Sequence, residues 1–210
     1  MIKAEITKIF PTPIYSTKLK NDFPKEVLSF IDNNKIDTQS KKDTLCCGGN
    51  SISSNKYILE EEIFKDLKQE LQLIVQDYFD KIICPVDDII PYITQSWIIY
   101  NEFNQSHHEH CHSNSCVSGV VYINCHETLD KISFIHHKYE MIRAAAKANV
   151  FNSDKYILPV KKNEVILFPS SLTHSVPTTE GHDTRISLSF NTFIKGKIGN
   201  YTEASELILR

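Results

Sequence analysis

The stretch from Gln105 to Asn124, QSHHEHCHSNSCVSGVVYIN, holds four of the nine histidines within six positions and then turns into a plain β-strand pattern. On an extended segment side chains alternate between faces, so histidines at i and i+2 project the same way. His110 and His112 can therefore reach one metal ion. His108 shares their parity, whereas His107 and Glu109 are expected to point away. Imidazole suits iron, zinc, copper and nickel alike, so ligand type does not choose the metal. A third ligand has to come from elsewhere in the chain. Taken alone, a His-rich hexapeptide reads equally well as a surface loop with adventitious metal affinity.

Working outward, 210 residues suit one core better than two. The expected layout is a single domain: an N-terminal strand and supporting helices over 1–85, a β-rich core over 86–195 and a C-terminal tail over 196–210. An apolar content of 41% and a charged content of 23% are ordinary for a globular protein. A net charge of −3 gives no general attraction to nucleic acid or to an acidic membrane, and no long basic run is present. The N-terminal MIKAEITKIFPTPIY lacks a long apolar run behind a basic start, so secretion and membrane spanning are not expected and a cytoplasmic location is. In that setting the cysteines read as reduced thiols, and the adjacent Cys46 and Cys47 lack the C-x-x-C spacing of a redox or metal motif. A homodimer is left open.

Residues 4–18 alternate loosely around Pro11 and Pro13, as an edge strand interrupted by a proline turn would. A short helix starts after Asn21 or Asp22, with Val27, Leu28 and Ile31 as its stripe. The polar run from Asn33 to Ser54 reads as a long loop and a lid candidate. From Leu59 to Ile82 apolar residues recur at three and four, which predicts a helix that backs the core. After Cys84 the period changes to two, and strands are expected over 91–103, 115–124, 131–136, 156–160, 164–168 and 185–194. Helices followed by strands predict an α+β fold, and six or more strands favour a double-sheet jelly roll or barrel that limits exposed edges.

Residues 164–191, EVILFPSSLTHSVPTTEGHDTRISLSFN, supply the missing parts. His174 follows a proline turn, and Arg185 and Ser187 share a strand face. An inward arginine needs an anionic partner, because burying its charge alone is costly. That partner is either a carboxylate of the protein or one of a ligand, which a guanidinium grips with two parallel hydrogen bonds. Ser187 and Tyr122 could complete the grip.

The three segments HCHSNSCVSGVVY (110–122), LFPSSLTHSV (167–176) and RISLSFN (185–191) resemble the 2-oxoglutarate/Fe(II)-dependent oxygenases, and within them a group with HxHxxSxxSG, LFPxxLxH and RISxSFN motifs. IFPTPIY (9–15) and the pair Ser96-Trp97 are similar to that group too. The resemblance implies a double-stranded β-helix, cupin-like, with the N-terminal helices packed on one sheet. It implies Fe(II) held by His110, His112 and His174, and 2-oxoglutarate held by Arg185 and Ser187 with Tyr122 as a helper. It implies a dioxygenase that consumes O2 and 2-oxoglutarate, hydroxylates a C–H bond and releases succinate and CO2. The wider superfamily carries H-x-D/E, so a second histidine here leaves the site one negative charge poorer. Two other registers compete, His107-x-Glu109 and His108-x-His110; the spacing to Ser118-Gly119 and Tyr122 favours 110/112. An amino-acid-like, peptide or protein substrate is the expectation by analogy with prolyl hydroxylases, with segment 137–155 as a candidate wall of its site and Arg143 as a candidate partner for a substrate or co-substrate anion. Two rivals remain: a cupin-like three-histidine metalloenzyme that ignores 2-oxoglutarate, and a non-enzymatic metal or carboxylate-binding module.

Overall fold

The computed structural model describes residues 3, 5–39, 48–136, 147 and 149–210, with the side chains of 36–39 left aside. Cys46, Cys47, His137 and Arg143 lie outside the described residues, as does most of the 137–148 segment.

Eleven strands among the described residues form two antiparallel sheets. The larger contains β1 (Tyr15–Lys18), β2 (Ser51–Ile52), β3 (Ile89–Asn101), β5 (Val117–Asn124), β8 (Glu164–Pro169), β10 (Arg185–Ile198) and β11 (Leu207–Leu209). Its order is β1-β8-β5-β10-β3-β2, with β11 paired to the far end of β10. The smaller contains β4 (His107–His110), β6 (Lys131–Ile135), β7 (Lys155–Pro159) and β9 (Thr173–Val176), in the order β4-β9-β6-β7. This is the two-sheet α+β arrangement of a jelly roll, and no described helix is long and apolar enough to cross a membrane.

Alternation sorts the strands of the larger sheet into two faces. Val121 and Ile123, Val165 and Leu167, Ile98 and Tyr100, and Ile186, Leu188 and Phe190 join one apolar core. Helices α1 (Lys25–Gln39) and α2 (Lys65–Tyr78) cover it with Val27, Ile31, Leu71, Val75 and Tyr78. The opposite face meets the smaller sheet and carries a second apolar cluster, including Val120, Tyr122, Phe134, Ile166 and Phe168. On that inner face the first half of β10, residues 185–191, contributes polar residues: Arg185, Ser187, Ser189 and Asn191.

The elements differ from the sequence expectations in several places: of the interrupted edge strand expected over 4–18 only Tyr15–Lys18 is a strand, and the expected 196–210 tail carries β11, paired to β10. The predicted 59–82 helix breaks into two short 3-10 turns, then α2, then a π-turn over Phe79–Ile83 that ends at left-handed Cys84 (φ 48°). The break has a local cause: the Leu59 N–H donates to Ser96 Oγ at 2.9 Å, and Glu61 is extended, so this segment is pinned to β3 before the helix starts. The expected 33–54 loop is helical as far as Gln39. Its far end is fastened beside the histidine stretch, where the Ser106 N–H donates to the Gly48 carbonyl at 3.1 Å. Gly48 sits at φ 111°, where an added Cβ would lie 2.5 Å from the Ser106 carbonyl oxygen.

Candidate metal centre and anion pocket

β4 and β9 lie side by side, with His110 directly opposite His174. His112 follows β4 and is drawn in by its own N–H, which donates to the Ser170 carbonyl at 2.9 Å. His110, His112 and His174 thereby offer ligand atoms that all lie within 4.8 Å of one another. Their rings are boxed by Trp97, 5.7 Å from His112, and by Phe168, 4.6 Å from His174.

The hydrogen bonds behind these rings decide which nitrogen is free. His110 Nδ1 lies 2.8 Å from the His108 carbonyl, and His174 Nδ1 lies 2.9 Å from the Leu172 carbonyl. His112 Nδ1 lies 2.6 Å from Asn191 Oδ1, which also accepts from Ser118 Oγ at 2.9 Å. Carbonyl and amide oxygens only accept, so each Nδ1 carries the proton and each Nε2 keeps its lone pair. That is the arrangement in which histidine binds a metal ion while its other nitrogen is anchored. Burial holds all three imidazoles below the ordinary histidine range, His174 down to about 3, so they stand ready as neutral ligands. The donor set fits a first-row divalent cation such as Fe(II).

Parity misplaced one residue. A register shift between His107 and His110 inserts an irregularity into β4, and His107 stacks on His110 with ring centroids 4.5 Å apart. His107, His108 and His110 form a second group within the same 4.8 Å limit. His110 has one free lone pair, so the two groups are alternatives for a single ion. His107 is buried, receives the Asn50 amide N–H at 3.2 Å, and is pushed down to about 3 by burial first and its neighbouring charges second. Glu109 is exposed and pairs with Lys155 at 3.3 Å.

Arg185 is 1% exposed. Its Nη1 donates to Asn101 Oδ1 at 3.3 Å, its Cζ lies 5.2 Å from the Tyr122 ring centroid, and no ion pair involves it among the described residues. Arg185 Nε and Tyr122 Oη are buried without hydrogen-bond partners among the described residues. Ser187 is buried directly opposite Tyr122 on the same inner face. The Arg185 charge is felt at His107, which stacks on the candidate ligand His110. A buried cation with unpaired donors around it is an arrangement that an anion would satisfy.

With this geometry in view, residues 95–191 match the profile of a family described as "Putative 2OG-Fe(II) oxygenase". The matched segment is the one that carries the three histidines and Arg185. No curated protein matches the sequence. Among solved structures, a Pseudomonas putida prolyl-4-hydroxylase is similar over 86% of this chain and 92% of its own, at 11% identity and TM-score 0.54. HygX from Streptomyces hygroscopicus is similar over 86% of this chain and 82% of its own, at 10% identity and TM-score 0.55. The epimerase SnoN from nogalamycin biosynthesis is similar over 88% and 81%, at 9% identity and TM-score 0.58. At such identities these likenesses speak for the shared fold.

Sequence reasoning named His110, His112, His174, Arg185, Ser187 and Tyr122, and the fold gathers them on facing surfaces of the two sheets. It missed Asn191 and Asn101, used Ser118 only for spacing, and considered His107 only in the competing register. Asn191 was visible in principle, since it shares strand parity with Arg185 and Ser187 at the end of RISLSFN. Asn101 carried no such signal, because only the β3–β10 register brings it opposite Arg185.

Proposed function

We propose that this protein is an Fe(II)- and 2-oxoglutarate-dependent dioxygenase that hydroxylates a C–H bond of an amino-acid-like, peptide or protein substrate and releases succinate and CO2. The observation that carries the reading is the pairing of three imidazoles anchored through Nδ1 with a buried arginine that has no carboxylate partner among the described residues. A three-histidine enzyme that ignores 2-oxoglutarate has no use for that arginine.

His110, His112 and His174 would hold the iron, and Arg185, Ser187 and Tyr122 would hold the far carboxylate of 2-oxoglutarate. Once bound, iron and 2-oxoglutarate supply oxidative decarboxylation coupled to oxygen insertion into a C–H bond. The protein's own residues do the positioning. Asn191 and Ser118 keep the proton of His112 on Nδ1, and the His108 and Leu172 carbonyls do the same for His110 and His174. Trp97 and Phe168 exclude water from the ring edges.

Substrate would enter along a cleft of about 890 Å³ lined by Phe10, Ile14, Phe134, Phe151, Tyr156 and Leu172. Phe134 is the cross-strand neighbour of His174 and Leu172 anchors that histidine, so the cleft adjoins the proposed iron site. Its size is at the upper end of small-ligand pockets and favours a peptide or protein side chain. The free thiols of Cys84, Cys111, Cys116 and Cys125 suit the reducing cytoplasm.

The test is anaerobic titration with Fe(II) and then 2-oxoglutarate, followed by a succinate assay in air. A visible charge-transfer band and succinate formation are expected. Metal binding with no response to 2-oxoglutarate overturns the reading in favour of a cupin-like metalloenzyme. Binding of both without succinate against a peptide and metabolite panel favours a binding module.

A further inference from the structure

Arg185 is the largest fully buried side chain among the described residues, yet the side chain that accepts a hydrogen bond from its guanidinium is a neutral amide. A guanidinium can only donate, so Asn101 must present its oxygen to Nη1, and this fixes which way the amide faces. The consequence is a second donor left over: Asn101 Nδ2 is buried, in a residue that is 0% exposed, and has no partner among the described residues. Arg185 Nε is in the same state, and the Tyr122 hydroxyl beside it is also unpartnered. Two donors that cannot accept, and a hydroxyl that can donate, surround one uncompensated positive charge. Such a set is satisfied by an oxygen-rich anion and by little else.

The strand register makes Asn101 the residue directly opposite Arg185. A carboxylate there would neutralise the guanidinium inside the protein, whereas the amide orients the fork and leaves its charge in place. We infer that Asn101 is a positioning residue for the co-substrate: it keeps Arg185 aligned and un-neutralised, so that the pocket takes up a dicarboxylate's far carboxylate. This rests on the 2-oxoglutarate reading above.

The experiment compares the parent protein with Asn101→Asp and Asn101→Leu, using three readouts: Co(II) affinity by visible absorption, anaerobic 2-oxoglutarate affinity of the Co(II)-loaded protein by calorimetry, and the thermal midpoint of the metal-free protein. In Asn101→Asp, Co(II) affinity should stay within about twofold, while 2-oxoglutarate binding weakens by about a hundredfold. The metal-free midpoint should rise, because the buried charge gains an internal partner. In Asn101→Leu, 2-oxoglutarate binding should weaken by about tenfold and the midpoint should fall. A purely structural role would not raise stability while removing ligand affinity. Asn101→Asp that binds 2-oxoglutarate within about threefold of the parent overturns the inference. If that variant does not fold, unchanged affinity in Asn101→Leu overturns it instead. If the parent binds no 2-oxoglutarate, the functional reading fails, and a midpoint that does not rise in Asn101→Asp then overturns the withheld-neutralisation argument separately.

Discussion

At His112 the chemistry is set by what lies behind the ring. Asn191 and Ser118 hold Nδ1, and their loss frees the tautomer without touching a ligand. Asn191→Leu and Ser118→Ala are each expected to weaken metal affinity by about 10–100-fold, measured by chelator competition. His112→Ala should abolish metal binding and succinate formation, whereas Glu109→Ala, which loses only an exposed pairing with Lys155, should keep both; the reverse ranking would move the ligands to the other register. Burial depresses the pKa of His107, His110, His112 and His174, so each is already neutral at pH 7. Metal binding at pH 7 should therefore release almost no protons, and calorimetric heats should be independent of buffer ionisation enthalpy. The sign for stability follows from the same depression. The unfolded chain takes up protons below the ordinary histidine pKa of about 6.5 and the folded one does not, so metal-free stability is full above that pH and falls toward pH 3. Urea titrations at pH 7 and pH 5 check this. Two-residue parity was enough to pair His110 with His112 and Arg185 with Ser187. It failed at His107 because an irregularity in β4 breaks the alternation that parity assumes.

Among the elements, β10 and β5 show how one strand serves two purposes. Ile186, Leu188 and Phe190 pack under the helices, while the residues between them build the polar inner face. Gly119 is the tightest point of that packing: an added Cβ would lie 2.2 Å from Phe190 Cζ and 2.6 Å from Leu167 Cδ2. Gly119→Ala is expected to destabilise the protein by about 1–3 kcal/mol in urea unfolding. The glycine beside Ser118 in the VSG segment is thus there for close approach, and its backbone needs no special φ. Strand existence was legible throughout 91–194 because alternation and turn residues are local. The helix before them was less so, since the anchoring of Leu59 on Ser96 comes from a strand far along the chain and overrides local periodicity.

For the whole molecule, the two sheets face each other across an apolar cluster that lies beside the polar face of β10, and the proposed substrate cleft opens between the smaller sheet and the N-terminal segment 7–14. Phe151→Ala and Tyr156→Ala should raise KM for the primary substrate severalfold while leaving 2-oxoglutarate consumption in its absence unchanged; a fall in that uncoupled rate would place them with the iron site instead. The sequence by itself determined the α+β class, the strand pattern and the candidate ligands, because alternation along a strand and the chemistry of imidazole and guanidinium are properties of neighbouring residues. Only the tertiary structure decided which nitrogen of each histidine is free, that His107 joins the cluster, and that Arg185 faces a neutral Asn101. Those depend on cross-strand register and on backbone carbonyls brought together from distant parts of the chain, which no local pattern encodes.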